Sequence, residues 1–124
     1  NDTTATTEIK YGDNDRLASR VAQIISADCL ILLSDVDGLY TDNPKKNKNA
    51  KLVKVIKELN NDIEKYASKA ENIYGSGGMK TKIEAAKICQ LAGCHMVIAN
   101  GSYNNPIKHI IKKKKMYLVY SKNF

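Results

Sequence analysis

Three glycines in four residues open the most chemically suggestive stretch of the chain, Gly75-Ser76-Gly77-Gly78-Met79-Lys80-Thr81-Lys82. Glycines let backbone approach an anion closely, and the free N–H groups at a helix start point towards it. Lys82 adds a full positive charge one turn into the helix that follows. The pattern is not a Walker A motif, which needs Gly-Lys-Ser/Thr after four intervening residues; here Thr81 precedes Lys82. Alone, the stretch reads equally as a flexible connector with a surface lysine.

Carboxylates form the second group: Asp2, Asp13, Asp15, Asp35 and Asp37, with Asn14 among them. Gly12-Asp13-Asn14-Asp15 precedes a helix, so a turn plus an N-cap explains part of it. It does not explain the density of acids. Carboxylates beside a phosphate are tolerable only when they hold lysines, magnesium or an amino-bearing substrate. Asp2 and Asn14 could hold the ammonium and amide-sized groups of a small polar ligand. His95, opening a strand, and His109, in a short basic helix, read as structural, because neither sits in a carboxylate or cysteine cluster.

The elements that must position these residues follow from periodicity. Asp15 reads as the N-cap of a helix whose Leu17, Ala18, Val21, Ile24 and Ile25 share a face, with Arg16, Arg20 and Gln23 opposite. Cys29–Leu33 is a continuous apolar run, as in a parallel strand covered on both faces. It ends in the polar turn Ser34–Tyr40, where ligands bind in open α/β sheets. Residues 41–50 form a loop around Asn43-Pro44. A short strand within 52–56 and a helix over about 61–68 follow, then the glycine loop at 73–78. A helix over about 79–92 stops at Gly93. The strand Met96–Ala99, a helix over 106–111 and an edge strand over 117–120 finish the chain. Alternating strands and helices predict an α/β layered sheet.

Composition bounds the partners. The chain has 124 residues, 43% apolar and 27% charged, which suits one folded domain or a piece of one. No apolar run nears the ~20 residues of a membrane span. Cys29, Cys89 and Cys94 are an odd number without metal-ligand spacing, so a disulfide scaffold is not expected and thiols in a reducing cytoplasm are. Residues 1–44 carry eight acids against three bases, whereas the rest carries 17 bases against five acids. Nucleic acid is nevertheless an unfavoured partner, because no aromatic-basic interleaving accompanies the lysines. Lys112–Lys115 reads as a solvated face or helix end.

Taken together, Asn1-Asp2-Thr3, Tyr11–Leu17 (YGDNDRL), Leu32–Tyr40 (LLSDVDGLY) and Gly75–Lys82 (GSGGMKTK) resemble the amino-acid kinase family over nearly the whole chain, fading near Tyr103. The Gly-Asp-Asn-Asp element before Arg-Leu points to the branch that phosphorylates the side-chain carboxylate of L-glutamate with ATP, ahead of proline synthesis. The resemblance implies a three-layer α/β/α sandwich with a mainly parallel sheet. It implies that Asp2 and Asn14 contact glutamate and that Asp15 organises the reacting groups. Ser34 and Asp35 would lie against the nucleotide, and Ser76, Gly77, Gly78, Met79, Lys80, Thr81 and Lys82 would close over ATP. Lys82 and Asp15 are thus the catalytic candidates. Magnesium is expected on the ATP phosphates, with no protein metal site.

The family's N-terminal half, with its own glycine loop and lysine, is not in the sequence, nor is the RNA-binding-like domain that many members carry at the C-terminus. Residues 1–124 therefore read as the nucleotide-binding portion of a kinase domain, with an uncovered sheet edge or face that the rest of the protein or another copy completes. A homo-oligomer is expected. The competing readings are a non-catalytic nucleotide-binding module, a kinase for another carboxylate, and a basic nucleic-acid binder.

Overall fold

A computed structural model describes residues 13–74, 78–113 and 117–119. Chain order is α1 (Asp13–Ile24), β1 (Cys29–Ser34), β2 (Val55–Ile56), α2 (Asn61–Tyr74), α3 (Gly78–Leu91), β3 (His95–Asn100), α4 (Pro106–Lys113) and β4 (Tyr117–Val119). The strands form one sheet in the order β1-β3-β4-β2. β1 runs parallel to β3, with Cys29 opposite His95 and Ser34 opposite Asn100. β2 runs parallel to β4, while β3 and β4 are antiparallel. The sheet is therefore mixed, and β4 lies inside it rather than at the edge that its short apolar run suggested.

Period-two alternation along β3 explains the layering. Met96 and Ile98 join the core built with Ala22 of α1, Ile63 and Ala67 of α2, and Ile83 and Ala86 of α3. Val97 and Ala99 point the other way and pack with Ile110 of α4. Helices thus lie on both faces of the sheet. β3, buried on both sides, carries apolar residues at every position from Met96 to Ala99 for that reason.

β1 departs from the reading of a strand covered on both faces. Leu32 is buried, but Ile31 and Leu33 are exposed, and β1 is an edge of the sheet. Exposed Leu17, Val21, Ile24 and Ile25 continue the apolar surface along α1. An open groove of about 410 Å³ lies between this helix and β1, lined by Asn14, Leu17, Val21, Ile25, Cys29 and Leu30 among others. Leu17, Val21, Ile24 and Ile25 are residues that periodicity puts on one face of the helix. The described chain buries instead the small residues Ser19 and Ala22 of α1.

The α1–α3 packing positions the site. Ser19 and Ala22 on α1, and Ala85 and Ala86 on α3, are all buried, and small side chains let helix axes approach closely. Ser19 Oγ donates to the Arg16 carbonyl at 2.7 Å, so its hydroxyl is satisfied inside the contact. α3 ends where glycine was expected to stop it: Gly93 has φ of +73°, and the Cys94 N–H donates to the Cys89 carbonyl at 2.9 Å. This six-to-one closure and left-handed residue end helices without orphaned carbonyls.

Candidate active site

α1 and α3 are each joined to the following strand by a turn of a few residues, and each packs against that strand. Each helix therefore runs back alongside its strand. The starts of α1 and α3 then lie at the same end of the layer as the carboxyl ends of β1 and β3. That end collects the polar residues, as the strand-end rule for α/β sheets anticipates.

At the helix starts, Asp15 is the centre. Lys82 Nζ donates to Asp15 Oδ2 at 3.0 Å, and Thr81 Oγ1 lies 3.0 Å from the same oxygen. The side chains of Lys82 and Asp15 retain 13% and 18% exposure, so this ion pair is largely screened from bulk water. A half-buried pair of that kind resists loss of one partner, because the remaining charge is left desolvated. Asp15 is not the N-cap. α1 begins two residues earlier, at Asp13, and the Asp15 side chain reaches across to α3 instead of back to its own helix.

A second crossing lies one step further along both helices. Arg16 Nε donates to Glu84 Oε2 at 2.6 Å, and Nη2 reaches the same oxygen. Neither residue was singled out from sequence. The signal was present as opposite charges in matching order, Asp15-Arg16 against Lys82 and Glu84. It is readable only once α1 and α3 are known to be neighbours.

At the strand ends, Ser34 Oγ donates to Asp35 Oδ1 at 3.2 Å, and Asp35 is exposed. Asn100 Nδ2 donates to Asp37 Oδ1 at 3.2 Å, tying the turn after β1 to the end of β3. The Gly101 N–H donates to the Ser34 carbonyl at 2.7 Å. A Cβ at Gly101 would stand 3.2 Å from the Leu33 Cβ, so glycine is what lets the two strand ends close together.

The other sequence candidates are placed as follows. Asp2, Ser76 and Gly77 lie outside the described residues. Gly78 is the first residue of α3, and among the described residues a Cβ there would meet nothing within 4 Å. Met79 is buried at 5% exposure, its side chain part of the core. Lys80 is exposed, and Thr81 is buried on Asp15. Asn14 is exposed at the mouth of the α1–β1 groove, adjacent in sequence to Asp15. Thus Asp15, Thr81 and Lys82 are brought together, while Ser34 and Asp35 form a separate pair at the same end of the layer.

Comparison with known proteins gives the family and the fold. The model of the amino acid kinase family matches residues 1–100. The chain is 70% identical over 115 residues to the glutamate 5-kinase of Pelagibacter ubique, covering 93% of this chain and 31% of that protein. It is 56% identical over 110 residues to the glutamate 5-kinase of Bradyrhizobium diazoefficiens, covering 89% of this chain and 30% of that protein. The chain thus spans about 30% of the length of these relatives. Among solved structures, UMP kinase from Ureaplasma parvum superposes with a TM-score of 0.59 at 21% identity, over 86% of this chain and 41% of that one. Carbamate kinase from Giardia lamblia bound to AMP-PNP gives 0.55 at 19% identity, over 82% of this chain and 30% of that one. At such identities these two establish the fold alone. Among the described residues, no helix is long and apolar enough to cross a membrane.

Proposed function

The chain belongs to the amino acid kinase family, and from that premise we propose that it carries the nucleotide-binding portion of an ATP-dependent kinase that phosphorylates the side-chain carboxylate of L-glutamate. The observation that carries the reading is the Asp15–Lys82 pair, held near the starts of two helices with Asn14 next to Asp15 in sequence. The two relatives named glutamate 5-kinase support the choice of acceptor.

The chemistry asked of the residues is electrostatic. A glutamate side chain, with a reference pKa of ~4.3, is already ionised near neutral pH, so no general base is needed to make the nucleophile. The obstacle is bringing that anion to a polyanionic nucleotide and stabilising the charge that builds on the phosphoryl group in transit. Lys82 supplies a full positive charge, and the N–H groups opening α3 supply partial ones. Asp15 holds the lysine in place until the phosphates arrive. Asn14, one residue before Asp15, would contact the acceptor, as would Asp2. Ser34 and Asp35 would flank the nucleotide, and the backbone from Ser76 to Lys80 would cover its phosphates.

Magnesium, held through the ATP phosphates, would supply further neutralisation. Asp15 is already engaged by Lys82 and Thr81, which fits an ion carried by the nucleotide rather than by this carboxylate. The apolar groove along α1 and β1 is where we place the remainder of the kinase domain, contributing the other part of the glutamate pocket. A reducing cytoplasm suits the free thiols.

The test uses the full-length protein. Hydroxylamine trapping should yield the γ-hydroxamate from glutamate and ATP, with aspartate and acetylglutamate as poor acceptors. ATP binding in calorimetry without any hydroxamate would instead identify a non-catalytic module, and a better acceptor would reassign the substrate. Steeply salt-dependent RNA or DNA retention without ATP binding would favour the nucleic-acid reading.

A further inference from the structure

β1 and β3 run parallel and end together, with Ser34 opposite Asn100. Beyond that pair the chain leaves the sheet on both sides, into residues 35–54 after β1 and residues 101–105 after β3. Three hydrogen bonds tie the two exits to each other. The Gly101 N–H donates to the Ser34 carbonyl at 2.7 Å, and Asn100 Nδ2 donates to Asp37 Oδ1 at 3.2 Å. The Ser102 N–H donates to Asn100 Oδ1 at 2.9 Å. That last bond fixes which way the amide faces, because its oxygen is taken by a backbone donor and its NH2 is left for the carboxylate. Asn100 and Asp37 are both half-buried.

These contacts bracket Ser34 and Asp35, the two residues proposed to flank the nucleotide. One anchor is the Ser34 carbonyl, and the other lies three positions on, at the Asp37 carboxylate. A segment held at one point can swing about it, whereas a segment held at both ends keeps its shape. We infer that Asn100 is a positioning residue for nucleotide binding: through Asp37 it sets the turn that carries Ser34 and Asp35, and it touches no substrate itself. Contacts that are set in advance lose less freedom when the ligand arrives, so the benefit falls on nucleotide affinity. The side chain at 100 must donate to a carboxylate and accept from an N–H at once, which an amide does. A carboxylate there would accept from Ser102 but would face Asp37 with like charge. The inference rests on the kinase reading and assigns Asp37 to the scaffold of the site, not to its ligands.

The experiment exchanges the two partners in the full-length kinase. Asn100→Ala and Asn100→Asp are each expected to raise the ATP KM by about tenfold, the scale of a hydrogen bond to a charged group, with the glutamate KM changed by less than about twofold. Adding Asp37→Asn to Asn100→Asp restores a donor facing an acceptor, with the roles reversed, and leaves an oxygen for the Ser102 N–H. This double variant should return the ATP KM to within about twofold of the unaltered value, because the two residues act as one unit. An ATP KM that stays unchanged in both single variants would overturn the inference. So would a double variant no better than Asn100→Asp, which would make the Asp37 carboxylate a direct contact of the nucleotide or its magnesium. Both KM values rising together would reduce Asn100 to a general structural role and overturn it as well. Melting temperatures identify any variant that does not fold, and Asn100→Ala, which introduces no charge, carries the test if Asn100→Asp is one. If the unaltered protein makes no acyl phosphate, the kinase reading itself fails; if it does and the ATP KM ignores position 100, only the Asn100 inference fails.

Discussion

Lys82 and Asp15 stand 67 positions apart in sequence, yet Nζ and Oδ2 are 3.0 Å apart across the α1–α3 interface. Each comes from the first turn or so of its helix, and each is largely shielded from water. The carboxylate fixes where the ammonium stands, so in the proposed function its charge would be in position before a phosphate arrives.

Removing that charge should act on turnover more than on acceptor binding. In the full-length kinase, Lys82→Ala is expected to lower kcat by at least about 100-fold, the scale of losing one electrostatic stabiliser of a transition state, with the glutamate KM changed far less. Steady-state kinetics with each substrate varied in turn checks this, and an unchanged kcat would take Lys82 out of the mechanism.

The Arg16–Glu84 contact predicts a structural role for a pair outside the proposed chemistry. Both side chains are partly exposed, at 42% and 34%, so a coupling of about 0.5–1 kcal/mol is expected from a double-mutant cycle of Arg16→Ala and Glu84→Ala in urea unfolding. The coupling should shrink at high salt. Strictly additive single losses would show that the contact does not hold α1 to α3.

At Gly101 the prediction is steric. Gly101→Ala would bring a methyl to 3.2 Å from the Leu33 Cβ, so the ends of β1 and β3 must part slightly or strain. A loss of about 1 kcal/mol is expected, at the low end of overpacking costs, read as a lower urea midpoint with an unchanged slope. Because Asp37 and Asn100 meet at the same strand ends, weaker ATP binding should accompany it.

Burial pushes the Cys89 thiol from the ordinary 9.0 up to about 12, reinforced by neighbouring Cys94. Between those values the unfolded chain has lost this proton and the folded one has kept it. The unfolded state then binds fewer protons, so stability must fall as pH rises. The contribution is intact below pH 9 and declines above it. Urea midpoints at pH 8 and 10.5 should show a smaller drop in Cys89→Ala than in the unaltered protein; equal drops would place the cause elsewhere. A thiol reagent should label exposed Cys29 well before the buried Cys89 and Cys94.

Most of the element order was legible in the chain because it depends on local patterns. The apolar run at Met96–Ala99, the stop at Gly93 and the glycine-led start of α3 all carry their own signals. What the pattern did not carry was burial. Leu17, Val21, Ile24 and Ile25 have helical spacing, yet the described chain leaves them exposed, because a periodic stripe says which residues share a face and not what covers it. The start of α1 was misplaced for a related reason: an aspartate before a helix resembles a cap, and only a partner on another helix shows that Asp15 is doing something else.

The residue types of the candidate site, and their order along the chain, were determined by the sequence: glycines before a helix, a lysine one turn in, carboxylates after a turn and after a strand. Which of them meet was decided only by tertiary structure. Hydrogen bonds and ion pairs act over about 3 Å, whereas Asp15 and Lys82 are joined through two intervening strands and a helix. The packing of small buried residues along α1 and α3 closes that distance. It is also what turns Thr81 inward to share the Asp15 oxygen and leaves Met79 in the core.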